Sequence, residues 1–192
     1  MTQMSEILVV ARLRVMTTDA QLQRYHDQVV ELEPNQRGLK GFSFWRGLDA
    51  DGGVLQLMRY TDSKVAEEAL EALVTSKIGP LVQSVTIDPP DVVVVETHRK
   101  HGKNHDEAPN GSFATLSIRF SDPGMSEEQE QDTDEVLTNL AYVPGYLGAV
   151  WGTNLSMRDE VVSIAFWDSE QAMMESIPTS HRVRIHKWQK VV

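Results

Sequence analysis

Two stretches of this chain repeat each other. Residues 41–70 contain GFSFWRGL and VLQLMRYTDSKVAEEAL, and residues 145–177 contain GYLGAVWGTNL and EVVSIAFWDSEQAMMESI. Trp45 falls on Trp151, Asp62 on Asp168 and Ser63 on Ser169 at a single offset, and Gly41 meets Gly145 once the second copy is allowed two extra residues. Upstream, ILVVARLRV resembles FATLSIRF and brings Arg12 near Arg119. A repeat of this length is one supersecondary unit used twice, so it limits the fold more than any local propensity does.

Each copy reads as the same string of elements. ILVVARLRV alternates and is β-branched, which marks a strand. TTDAQLQRYHDQVVELEPNQRG carries Leu22, Tyr25, His26, Val29 and Leu32 at helical spacing, closed by Pro34 or Gly38. A hairpin turning at Asp51-Gly52-Gly53 follows, then a helix capped by Asp62 and Ser63, then the strand DVVVVETH. That order is β-α-β-β-α-β, the ferredoxin-like unit. The second copy repeats it, with Asp168 and Gln171 as the cap pair of its last helix. At its end, Ile185, Trp188 and Val192 are spaced for a helix, so the second repeat is expected to lack a clear final strand. The domains expected are 1–97, a polar linker over 98–112 (HRKHGKNHDEAPNGS) and 113–192. A sheet with helices on one face needs a partner for the other. The fold class expected is therefore α+β, with two ferredoxin-like repeats facing each other as a pseudo-dimeric α/β barrel.

The space between the two sheets is the default place for a ligand. Along EVVSIAFW, strand alternation separates Val162, Ile164 and Phe166 from Val161, Ser163, Ala165 and Trp167. The first set suits the helix-packed core, so the second is expected to line the enclosed space. By the repeat, Leu57, Arg59 and Thr61 take the matching face of the first copy.

Composition narrows the partners. A net charge of -10 repels phosphate backbones and anionic lipid, so nucleic acid and membrane surfaces are not expected partners. No apolar run approaches 18 residues, and MTQMSEILVVARLRV reads as a first strand and not a signal peptide. A cytoplasmic location is the expectation. There are no cysteines, which removes disulfides, thiolate metal sites and a cysteine nucleophile. His98, His101 and His105 are interleaved with Arg99, Lys100 and Lys103, which would repel a cation, so no metal site is expected there. Arg182, Arg184, Lys187 and Lys190 form the one basic cluster, either a solvated C-terminal helix or an anion-attracting lip beside a pocket.

Three motifs carry a family likeness: Val143-Pro144-Gly145-Tyr146, Phe166-Trp167-Asp168-Ser169-Glu170 and Ser180-His181-Arg182. With them the sequence resembles the antibiotic biosynthesis monooxygenase family of the dimeric α/β-barrel superfamily. The first copy keeps Gly41-Phe42 and Asp62-Ser63 but has Tyr60-Thr61 at the tryptophan turn. The resemblance implies small enzymes that oxidise phenolic polycyclic compounds to quinones without metal or flavin. Related members bind and degrade haem. On this reading Trp167, His181 and His186 are the candidate catalytic residues, with a histidine as proton acceptor. Arg59, Tyr146 and Ser163 are the candidate substrate-binding residues. The expected function is a cofactor-independent monooxygenase-like enzyme acting on a small aromatic or enolisable molecule. The alternatives are a haem protein using His186 and a non-catalytic ligand-binding module. A second copy of the chain is the possible protein partner. Two departures are visible: Ser163 and Met173 stand where the quinone-forming pattern has asparagine and tyrosine, and Ser176 stands where the haem-degrading pattern has tryptophan.

Overall fold

The structure, a computed structural model, describes residues 6–15, 19–32, 36–49, 52–122, 124–177 and 185–192. The first repeat gives β1 (Ile7–Leu13), α1 (Asp19–Leu32), β2 (Leu39–Gly47), β3 (Val54–Tyr60), α2 (Ser63–Thr75), α3 (Ile78–Val85) and β4 (Asp91–Gly102). The second gives β5 (Phe113–Phe120), α4 (Ser126–Leu140), β6 (Tyr146–Asn154), β7 (Glu160–Trp167), α5 (Glu170–Ser176) and β8 (Ile185–Lys190). Around the sheet the order is β4-β1-β3-β2-β8-β5-β7-β6, closed back onto β4. Each repeat contributes four strands in one ferredoxin-like order. The two sheets join where β2 meets β8 and where β4 meets β6, both antiparallel. The expected α+β pseudo-dimeric barrel is the fold observed.

One part of that expectation is corrected. Residues 185–190 form a strand and not a helix, so the second repeat has its fourth strand. The helical spacing of Ile185, Trp188 and Val192 is overruled by what lies on either side. β8 pairs with β5 from Phe113↔Gln189 to Ser117↔Ile185, and with β2 from Trp45↔Lys190 to Gly47↔Trp188. Without it both neighbours would present open edges. Of the basic cluster, Lys187 and Lys190 lie on this strand, and Arg182 and Arg184 lie outside the described residues. Lys190 points inward, where its ammonium donates to the carbonyls of Asp106 (3.1 Å) and Ala108 (2.6 Å).

The faces of β7 are also reversed from expectation. Val162, Ile164 and Phe166 join Leu55, Leu57 and Leu116 inside the barrel. Val161, Ala165 and Trp167 pack with Leu137, Ala172 and Met173 beneath the helices. Alternation separates the two faces but does not say which one meets the helices, and the repeat as aligned is also one residue out. Gly41 pairs with Arg59 as Gly148 pairs with Phe166, and Asp62 caps α2 as Ser169 caps α5. This structural correspondence is one residue longer than the offset that matches Trp45 to Trp151. A slip of one turns every side chain to the other face of a sheet. Trp45 accordingly lies in the barrel interior and Trp151 lies under α4.

The interior is a packed core, with Trp45 and Phe166 stacked at 5.7 Å between ring centres. The space between the sheets is thus filled by apolar side chains. One end of the barrel is covered by the segment read as a solvated linker. Its first residues continue β4 to Gly102, and beyond them Asn104, His105, Ala108 and Ser112 are buried. Trp45 donates its indole N–H to Ser43 Oγ (2.7 Å), and Ser43 Oγ meets His105 Nδ1 (2.7 Å). The chain can enter here because Gly148 brings its backbone against that of Lys103, where a side chain would not fit. His98 instead stacks on Trp151 at 5.1 Å, and His101 faces Asp134 at 3.6 Å. Among the described residues no helix is long and apolar enough to cross a membrane.

Candidate functional site

With the barrel interior filled, one enclosed apolar space for a ligand lies outside it, between the second repeat's sheet and its helices. The outward rows of β5 and β7 pair as Phe113↔Trp167, Thr115↔Ala165, Ser117↔Ser163 and Arg119↔Val161. Strand alternation thus sets four polar or charged side chains, Thr115, Ser117, Ser163 and Arg119, on a floor facing α4 and α5. Above that floor, Leu137 and Leu140 of α4, with Ile177 and Ile185, close an apolar roof. The cavity between them has a volume of about 150 Å³.

The two ends of this floor differ. At one end Trp167 is fully buried, and Tyr146 meets it edge-on at 5.7 Å and 77°. The Trp167 Nε1 and the Tyr146 hydroxyl are buried without a hydrogen-bond partner. Burial pushes the Tyr146 phenol up to about 12, so it stays protonated and can only donate or accept as a neutral hydroxyl. At the other end Arg119 donates to Thr133 Oγ1 (2.9 Å), which in turn donates to the carbonyl of Gln129 (2.7 Å) on α4. Burial lowers the Arg119 pKa, with Asp132 acting the other way. The Arg119 Nε and the Ser117 hydroxyl are buried and have no partner.

The residues singled out in the sequence are only partly brought together. Ser163 lies on the cavity floor, and Trp167 and Tyr146 sit in the same layer. Arg59 is elsewhere, at the covered barrel end, paired with Glu6 (2.8 Å) and Asp106 (3.1 Å). Those two acids support its charge although burial opposes it. His186 is on β8 in register with Leu116, an interior position, and lines a separate charged mouth near Asp49. The β5–β8 sheet therefore stands between His186 and the cavity. His181 lies outside the described residues. The sequence reading passed over Arg119 and Ser117 as site residues. The alternation of FATLSIRF was the available signal, since it puts Thr115, Ser117 and Arg119 on one face.

The described residues do not fit a haem at this cavity. Its lining includes no imidazole, and its volume is below the roughly 300 Å³ at which pockets for drug-sized ligands begin.

Residues 116–188 match the model of the antibiotic biosynthesis monooxygenase family. The match runs from β5 into β8, lies within the second repeat and takes in every cavity-lining residue except Thr115. Among solved structures, a protein named as a candidate monooxygenase from Fusobacterium nucleatum is similar at 11% identity and a TM-score of 0.77, covering 98% of this chain and 93% of that one. An anthrone oxidase-like protein is similar at 14% identity and a TM-score of 0.71, covering 98% and 92%. A chlorite dismutase from Candidatus Nitrospira defluvii is similar at 8% identity and a TM-score of 0.58, covering 98% and 92%. At these identities the likeness is one of fold. No curated protein matches the sequence.

Proposed function

We propose that this protein is a monooxygenase-like enzyme that oxidises a small aromatic or enolisable substrate without a resident cofactor, using the cavity beneath α4 and α5. The observation that carries this reading is the polar row on the floor of an otherwise apolar cavity, of which Ser117, Arg119 and Ser163 fall inside the span that matches the family. An apolar roof excludes water from a bound ring, and the polar floor, with Ser163 beside Ser117, can hold its oxygen. Trp167 and Tyr146 pack behind the cavity in the same layer and support its floor without lining it. His181, eleven residues beyond Glu170, is the proposed proton acceptor from the sequence motif. Arg59 and His186 have no part in this proposal, because both are held on the other side of the sheet.

In the proposed reaction the substrate supplies the electrons. A phenol loses its hydroxyl proton, and its anion reduces dioxygen. One oxygen atom bonds to the ring carbon opposite the hydroxyl. The other leaves as water with the hydroxyl hydrogen and the hydrogen displaced from that carbon, and the product is a quinone.

Oxygen consumption with a panel of phenols and enolisable ketones tests this. Ser163→Ala removes one hydrogen bond of about 1.4 kcal/mol and should lower kcat/KM about tenfold on an accepted substrate. Consumption no faster than in buffer across the panel, or unchanged in Ser163→Ala and Trp167→Phe together, would defeat the proposal.

A further inference from the structure

We propose that Arg119 and Ser117 form an anion subsite in this cavity, and that its ligand is a single ring bearing one acidic oxygen. The inference rests on taking the cavity as the ligand site. It goes further by naming the residues that select the ligand and the charge and size they select.

Most arginines on or beside the sheet are paired with an acid, although Arg46 on β2 has only the side-chain amide of Gln23, at 3.4 Å. Arg12, Arg14, Arg59, Arg99 and Arg158 each form an ion pair with a carboxylate. Among the described residues, Arg119 forms none. Its bond to Thr133 fixes one end of the guanidinium, and Nε is left without a partner. Asp132 acts on it only from beyond ion-pair distance. A half-buried cation whose nearest counter-charge, Asp132, is beyond ion-pair distance is a costly arrangement, and an anionic ligand would relieve it where a neutral one would not.

Ser117 is the second, independent observation. It lies two residues before Arg119 on the same face, and its buried hydroxyl also has no partner. At the rise of a strand the two positions are about 7 Å apart. A ligand oxygen held between their side chains would reach both, donated to by the guanidinium and by the hydroxyl.

The walls give the rest of the ligand. Ala165, Leu137, Leu140 and Ile177 are apolar and present no further charge. A cavity of about 150 Å³ is on the scale of one that holds benzene. This favours one ring over the fused rings that the family resemblance implies. The described lining residues also include no carboxylate or imidazole. Ionisation of a phenol there is driven by the Arg119 charge, so the subsite lowers the ligand's own pKa.

Binding of 4-nitrophenol tests this, because its anion absorbs visible light and reports its own ionisation. Two comparison probes are 4-nitroanisole, the uncharged methyl ether, and 4-nitro-1-naphthol, which adds a second ring. The expected result is a fall of at least one unit in the pKa of bound 4-nitrophenol, with at least tenfold weaker binding of the ether and of the naphthol. Arg119→Met should abolish the pKa change, and Ser117→Ala should weaken anion binding several-fold. Equal binding of phenolate and ether to the unaltered protein overturns the proposal, as does an undiminished pKa change in Arg119→Met. If Arg119→Met does not fold, the comparison of phenolate with ether decides alone. Turnover is not read in this experiment. A protein that selects the anion but consumes no oxygen refutes the enzymatic reading and keeps the subsite. One that consumes oxygen but binds ether and phenolate alike does the reverse.

Discussion

His105 should make this protein's stability fall on mild acidification by a calculable amount. The ring is 2% exposed at the covered end of the barrel. An indole N–H can only donate, so Ser43 Oγ accepts from Trp45 and can either donate to His105 Nδ1 or accept from it. Either neutral tautomer can satisfy this contact, and burial is what holds the ring neutral. Burial pushes the His105 pKa down to about 3. Asp106 favours the charged form, while Arg59 and Lys190 oppose it. In the unfolded chain the same ring takes up a proton near pH 6.5. The unfolded state therefore binds the extra proton first as pH falls, and stability drops by up to about 1.4 kcal/mol per pH unit below 6.5. Between pH 7.5 and 5.0 this sums to about 2 kcal/mol. His105→Asn leaves an amide oxygen to accept from Ser43 and removes the titration. Urea unfolding at both pH values, for both proteins, isolates the effect because the carboxylates are common to the two. The original protein should lose about 2 kcal/mol more than the variant. Parallel losses would show that His105 is not held neutral by burial, and the account of the barrel cover would fail with it.

Two further expectations concern packing. Trp167→Ala should cost about 3–5 kcal/mol, read by urea unfolding, because the indole is fully buried beneath α5 with Ala172 and Met173. A loss below about 1 kcal/mol would mean that the layer over the second repeat's sheet is not packed as described. Gly148→Ala places a methyl group on the backbone of Lys103 and should destabilise by roughly 1–3 kcal/mol. An unchanged unfolding midpoint would count against the close approach of the 103–112 segment to β6.

The basis for the fold was legible because it rests on periodicity. ILVVARLRV and FATLSIRF alternate, the hairpins carry turn residues, and the helices carry caps, so each repeat announced its elements from local patterns. Two matters were not local. Alternation along EVVSIAFW separated the two faces of β7 but could not say which one meets the helices, and the alignment through Trp45 and Trp151 was one residue off the structural correspondence. The last strand was hidden because 185–192 carries apolar residues at a spacing that suits a helix. Its true state came from the hydrogen-bonding edges of β2 and β5 on either side.

The candidate site divides the same way. Ser163, Trp167 and Tyr146 were found through motifs of the second repeat, and they do share one layer. Arg59 was chosen by the repeat, but its neighbours Glu6 and Asp106 come from distant parts of the chain. Arg119 entered the sequence reading only as the counterpart of Arg12 in the repeat. Its importance lies in what is missing around it, namely a carboxylate, and that can be seen only once the chain is folded.

The sequence by itself determined that the chain builds two ferredoxin-like units, since alternation, caps and turns act over a few residues. Only the tertiary structure decided which sheet faces are enclosed, where residues 103–112 lie and which charges are left unpaired. Those outcomes depend on strand register and on contacts between residues far apart in sequence, and no local pattern encodes them.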